Sequence, residues 1–200
     1  LNPITGVLST RRAAHLLRRT SFRYQKAKVD ELAALTAAEA LDLLFTQNPL
    51  LVDQPIYGSS NLTWINPPTP LSTPLPTDDF ILRRYVMGWW LHEALHDSGA
   101  GHKIEFFLHQ YMAVTAESGS TGQFFDYLQL LRWGVSASFK KTVTKMVTDN
   151  CMLNYINNNL NFVNNPNENF AREFLELHTI GKGDVAGPGD YSTYTEDDIV

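Results

Sequence analysis

At 200 residues with 44% apolar and 18% charged side chains, the chain has enough apolar material to bury a substantial core. Its net charge of −5 argues against general nucleic-acid binding, which needs a basic footprint. The single cysteine, Cys151, excludes an internal disulfide framework and a multi-cysteine metal site, and no apolar run approaches the ~18 residues of a membrane span.

Residues 10–20 read as an amphipathic helix. Arg11, Arg12, His15, Arg18 and Arg19 share one face, opposite Ala13, Leu16 and Leu17. Seven basic residues precede the first acid, so this face is either an ordinary solvated one or a site for phosphate or an acidic partner. Residues 27–35 and 37–46 read as a helix pair, the second capped by Thr36 with Glu39 three residues on. Leu41, Leu44 and Phe45 are expected to supply its buried stripe.

From 47 to 77 seven prolines exclude regular helix, and Tyr57, Trp64 and Ile65 suggest a loop adhering to the surface. Thr77, with Asp78 and Asp79, then caps a long helix to about Asp97, carrying Leu82, Val86 and Trp89 on one face. Gly99 and Gly101 are expected to end it. The next helix should run from about His102 to Glu117, burying Ile104, Phe107, Leu108 and Tyr111. His102, Glu105 and His109 lie at i, i+3 and i+7 on the opposite stripe, which reads as partly exposed or as a polar site between helices. Further helices are expected at about 122–133 and 137–149.

Nine of the sixteen residues from Asn154 to Asn169 are Asn, which favours tight loop over strand. A helix start follows, with Asn165 as cap, Pro166 first and Glu168 third, running to Ile180 with Gly181 as its stop. A Gly-rich loop leads to a last helix begun by Thr195 with Glu196, Asp197 and Asp198. The expected fold is all-α: a multi-helix orthogonal bundle with long Pro-rich and Asn-rich loops, forming the N-terminal part of a larger helical domain. Within it, 1–46 is a helical hairpin region, 47–77 the adherent loop, 78–180 the helical core and 181–200 the Gly-rich loop with the start of the next helix.

Three constellations could carry chemistry. His92-Glu93-Ala94-Leu95-His96, with Gly99 and His102 beyond it, spells the H-E-x-x-H-x-x-G-x-x-H pattern of zinc proteases. There His92, His96 and His102 would hold a divalent metal such as zinc, and Glu93 would act as base on its water. Half-buried packing beside Tyr85 and Trp89 is the simpler account, and no upstream strands support a protease fold. On the 166–180 helix, Phe170, Phe174 and Leu177 form the apolar arc, while Glu168, Arg172, Glu176, Asn169 and Glu173 fill the other side. Glu168 and Glu176 flank Arg172 at four residues each way, an ion ladder if exposed, or Glu173 and Glu176 with Asn169 face a pocket. His178 leaves from the apolar arc and reads as a core histidine. The third constellation is the His102, Glu105 and His109 stripe. No Gly-rich phosphate loop follows a strand and no serine elbow is present.

The run Asn165-Pro166-Asn167-Glu168-Asn169-Phe170-Ala171-Arg172-Glu173-Phe174-Leu175-Glu176-Leu177-His178-Thr179-Ile180-Gly181, followed by Tyr194-Thr195-Glu196-Asp197-Asp198, closely resembles the motif of the bacterial family called domain of unknown function 1800. Ala13 to Arg19 resembles that family's opening helix, and Trp89-Trp90-Leu91 and Lys103 to His109 resemble its Trp-rich helix and the histidine-ending segment after it. Leu108 stands where the family usually has Trp and Tyr111 where it has a second His, and the 92–102 pattern is not part of the family motif. The resemblance implies an all-helical domain continuing past Val200, and export to the periplasm, cell surface or exterior. If the family is enzymatic, it points to His109, Arg172, Glu173 and Glu176 as catalytic groups and to Asn167, Glu168 and Asn169 as substrate-binding ones. Two functions follow as expectations. One is an exported, metal-assisted hydrolase. The other is a non-catalytic module binding another exported protein or an extracellular polymer such as a glycan.

Overall fold

The structure, a computed structural model, describes residues 4–46, 53–56, 63, 65 and 78–199. Nine α-helices and no strands occur among the described residues, so the fold is all-α. Of the adherent loop, Tyr57, Trp64 and most of the prolines lie outside the described residues. Ile65, however, is buried in the main core.

The N-terminal helices α1 (Ser9–Thr20), α2 (Lys26–Ala33) and α3 (Ala37–Thr46) enclose one apolar cluster of Leu8, Ala13, Leu17, Val29, Leu32, Ala40 and Leu44. Of the stripe expected to be buried on α3 only Leu44 is inside, and Leu41 and Phe45 are exposed. The expected capping box holds: Glu39 accepts from the Thr36 N–H at 2.8 Å, and the Thr36 hydroxyl accepts from the Glu39 N–H at 3.3 Å. Ala100 completes this cluster and donates its N–H to the Leu44 carbonyl at 3.1 Å, so the turn after α4 is tied to α3.

Helix α4 (Asp79–His96) is capped by Asp78, one residue later than the sequence suggested, because its carboxylate accepts from the Phe80 N–H at 2.9 Å. Its buried stripe is Val86, Trp90 and Ala94, with Leu82 partly buried, so Trp90 takes the core position assigned to Trp89. Asp79 also accepts from the Thr121 N–H at 3.0 Å, and Arg83 donates to the Gly119 carbonyl at 2.8 Å. These bonds dock the start of α4 on α6 (Thr121–Gly134), which has a Ser120/Gln123 capping box and runs through the middle of the second cluster. Gly134 allows the close approach of α7 (Phe139–Met146), since a Cβ there would meet Thr142 at 2.8 Å.

Helix α5 (Gly101–Tyr111) begins at Gly101 rather than after it and ends six residues short of Glu117. The helix expected at 137–149 is α7, which stops at Met146. A short helix that was not expected follows it, α8 (Asn150–Tyr155), capped by Asp149 through the Met152 N–H at 3.0 Å. In the Asn-rich segment, Asn157 and Asn164 take left-handed backbone, as expected of asparagine. Helix α9 (Glu168–His178) is capped by Asn167, not Asn165. The backbone of Asn165 is already committed to a tight turn, exchanging hydrogen bonds with Phe162 at 3.0 and 3.3 Å. The helix ends at His178, and Ile180 and Gly181 (φ +75°) both donate to the Leu175 carbonyl at 3.0 Å. Thr195 begins only a 3-10 turn, Glu196–Asp198.

Candidate functional site

Helix α5 buries its polar stripe together with part of its apolar one: Leu108 is in the core as expected and Ile104 packs against both clusters. Its polar residues His102 and Glu105 are 3% and 1% exposed, while Phe107 and Tyr111 are 59% and 38% exposed. The expected burial of Phe107 and Tyr111 is therefore corrected, and of the two readings of the polar stripe the one between helices holds at His102 and Glu105, with His109 half-buried. The physical reason is that α4, α6 and the corner between α4 and α5 supply polar partners for it.

Asp97, at that corner, accepts from the His102 backbone N–H and from His102 Nδ1, both at 2.9 Å. It also accepts from the Gly99 N–H at 2.8 Å. Burial works against its carboxylate, but these hydrogen bonds hold its pKa well below the usual range. The Nδ1 proton goes to that carboxylate, the stronger acceptor, so the approach of Arg132 Nη1 at 3.2 Å is a packing contact. Arg132, 1% exposed, comes from α6 and places Nη1 3.6 Å from both Asp97 and Glu105. Glu105 Oε1 accepts from Trp90 Nε1 at 2.7 Å. Burial pushes the Glu105 carboxyl up to about 8 against the opposing pull of Arg132 and of the Trp90 hydrogen bond. A protonated Glu105 leaves Arg132 and Asp97 as a balanced pair in the interior. Glu105 Oε2 and His102 Nε2 lie 3.8 Å apart, and both are buried without a hydrogen-bond partner among the described residues.

One turn further along α5, His109 Nδ1 lies 2.8 Å from the Tyr127 hydroxyl, which itself donates to the Met112 carbonyl at 2.8 Å. The hydroxyl has one proton, so His109 Nδ1 is the donor toward it and Nε2 carries the lone pair. Burial lowers the His109 pKa and keeps the ring neutral. Trp90 lies edge-on to the same ring, 5.6 Å between centroids, so one indole touches both halves of the buried line.

The zinc-protease pattern divides between two environments. His92 and His96 sit on the exposed face of α4 with rings 4.2 Å apart, and His96 Nδ1 bonds the His92 carbonyl at 2.8 Å. His102 is committed to Asp97 inside, and Glu93 lies 3.4 Å from His92. Among the described residues no three His, Cys, Asp or Glu side chains are placed to hold one metal ion.

The residues of the family-like helix α9 perform a different task. Arg172 does not form the expected ladder with Glu168 and Glu176. It makes a two-pronged bond to Glu196 at 2.9 and 3.0 Å. Glu176 accepts from the Tyr194 hydroxyl and lies 3.3 Å from Lys182 Nζ. The Tyr194 hydrogen bond holds the Glu176 pKa below the usual range, and the Arg172 hydrogen bond does the same for Glu196. Together they clasp the 181–199 segment against α9. Glu173 is half-buried, Glu168 and Asn169 are exposed, and none of the three has an ion pair among the described residues. Asn167 caps the helix and donates from Nδ2 to the Asn157 carbonyl at 2.6 Å. His178 is buried as expected, with Nδ1 3.2 Å from the Tyr111 carbonyl oxygen. The structure thus brings His109 into the α5 line and keeps it apart from the α9 clasp.

Sequence reasoning missed Asp97, Arg132, Trp90 and Tyr127 as partners. Arg132 carried a readable signal, because it is the sole cation in the largely apolar run Phe124 to Trp133.

No helix among the described residues is long and apolar enough to cross a membrane. Among curated proteins and solved structures nothing matches the chain. The profile of the protein family of unknown function DUF1800 matches residues 15–200, and the chain belongs to that family.

Proposed function

We propose that the chain is an exported recognition module, binding a partner protein or surface glycan through the outer face of α5, rather than a metal-assisted hydrolase. The observation that carries this reading is the pair of aromatic side chains that α5 leaves outside its core contacts. The helix buries His102, Glu105 and Leu108, half-buries His109 and presents Phe107 and Tyr111 outside, the Tyr111 hydroxyl donating to the Thr179 carbonyl at 2.9 Å. Phe107 stacks on Tyr111 at 6.4 Å, and Tyr111 meets Phe139 of α7 edge-on at 5.8 Å, with Phe139 itself 49% exposed. Leaving a large apolar side chain in water forfeits roughly 1.5–3 kcal/mol of burial, which contact with a partner would recover. The polar groups that an enzyme would use are instead distributed among three places. They form the stacked pair on α4, the interior line of α5 and the clasp on α9. Export rests on the family resemblance.

The test is retrieval of tagged full-length protein from the cell envelope, wild type beside a Phe107→Ser/Phe139→Ser double variant. A near-stoichiometric partner bound to the wild type and lost from an equally stable double variant is the expected result. Stoichiometric metal in the wild type that disappears in His92→Ala or Glu173→Ala would replace this reading with the hydrolase.

A further inference from the structure

The aromatic face of α5 adjoins an unbalanced basic surface. Helix α1 contains no acidic residue and exposes Arg11, Arg12, His15, Arg18 and Arg19 along one stripe. Among the described residues none of its four arginines, nor Lys103 across from them on α5, has a carboxylate partner. Arg18 Nε instead meets the Tyr24 hydroxyl at 3.2 Å, and Lys103 Nζ sits 4.2 Å above the Phe22 ring. The nearby lysines Lys26 and Lys28 are neutralised by Asp30 and Glu31, which marks the α1 stripe out. In a chain of net charge −5, unpaired cations gathered on one helix form a local field of opposite sign to the whole.

Two grooves flank this stripe. One, of about 470 Å³, runs between α1 and α3, with Arg11, Arg12 and His15 above an apolar floor that includes Leu8, Leu16 and Leu41. The other, also of about 470 Å³, runs between α1 and α5 and is lined by Arg18, Lys103, Ile104, Phe106, Phe107 and Gln110. Arg19 lines both, so the grooves adjoin across the helix, and among the described residues neither has an acidic side chain in its lining.

We propose that these grooves dock an acidic polypeptide segment from a partner protein, with apolar side chains spaced between its carboxylates. The proposal rests on the recognition reading, because Phe107 belongs to both surfaces. Cations above apolar floors fit a segment that presents carboxylates and aliphatic groups in alternation. The floors of Leu8, Leu16 and Leu41 and of Ile104 and Phe106 suit aliphatic side chains better than a sugar–phosphate backbone. The concavity suits a narrow chain better than a flat lipid surface.

The experiment is fluorescence anisotropy with full-length protein and three synthetic probes: a Glu/Leu peptide at helical spacing, its Lys/Leu counterpart, and heparin as an anionic glycan. The expected result is binding of the Glu/Leu peptide alone. That binding should weaken about tenfold from low to physiological salt and about tenfold in Arg18→Ser/Arg19→Ser, whose thermal midpoint should match wild type because both side chains are exposed. Binding of the Glu/Leu peptide that ignores salt and the arginine variant overturns the proposal. Equal binding of both peptides, lost in Phe107→Ser, overturns the acidic specificity and leaves the recognition reading standing. Heparin binding without peptide binding overturns the polypeptide assignment only. Failure of every probe overturns the proposal, and the partner retrieval described above then decides the recognition reading separately.

Discussion

Glu105 is a carboxyl group placed almost entirely inside the helical core. It is held among Trp90, Arg132 and His102, with one oxygen hydrogen-bonded and the other 3.6 Å from Arg132 and without a hydrogen bond among the described residues. Its carboxyl, raised by burial to about 8, retains a proton in the folded state that the unfolded chain releases near 4.5. Between those two values the folded state binds more protons, so this contribution to stability is full below pH 4.5 and is lost as pH rises toward 8. A tenfold change in proton affinity corresponds to ~1.4 kcal/mol, so the loss across the window is on the order of a few kcal/mol. Glu105→Gln keeps an acceptor for Trp90 Nε1 but removes the titration. Denaturant unfolding measured across that pH window should therefore show a flatter profile for Glu105→Gln than for wild type, and parallel profiles would refute the assignment. None of this was legible in the sequence. The spacing of His102, Glu105 and His109 identified one stripe, but what turned it inward was Asp97, Arg132 and Trp90, contributed from other elements. Local periodicity weighs only the residues of the helix itself.

Helix boundaries followed local chemistry more closely. The Thr36/Glu39 box and the left-handed asparagines arise from neighbours in the chain, and they were readable for that reason. The α9 cap shifted from Asn165 to Asn167 because the first is consumed by the Phe162 turn, a commitment a capping rule does not register. The ladder expected of Arg172 gave way to Glu196, twenty-four residues on, because a fork matched to a carboxylate outcompetes single contacts along a helix face. This element-level account predicts that Arg172→Ala releases the 181–199 segment without unfolding the rest. Hydrogen exchange should accelerate in residues 184–198 while α4, α5 and α6 keep wild-type protection. The pair is partly exposed, so global stability should move little. Loss of protection throughout the helical core would show that Arg172 does more than clasp the loop.

At the scale of the molecule, the class was fixed by texture. Long 3.6-residue periodicities, prolines confined mainly to one segment and the absence of alternating runs leave room for an all-α fold alone. Two apolar clusters meet at Ile104, one under α1–α3 and one around α6, and the polar line of α5 runs beside that junction. What texture could not supply was the direction α5 faces, and with it the distinction between a hidden aromatic face and an exposed one. The central claim is that this face is open for a partner. It is tested most directly by thiol labelling of Phe107→Cys in the full-length protein, with the buried Cys151 as an internal standard. The account predicts modification of residue 107 at close to the rate of a free thiol while Cys151 stays protected. Protection of both thiols in the folded protein would mean that the protein covers the face itself, and would contradict the recognition reading.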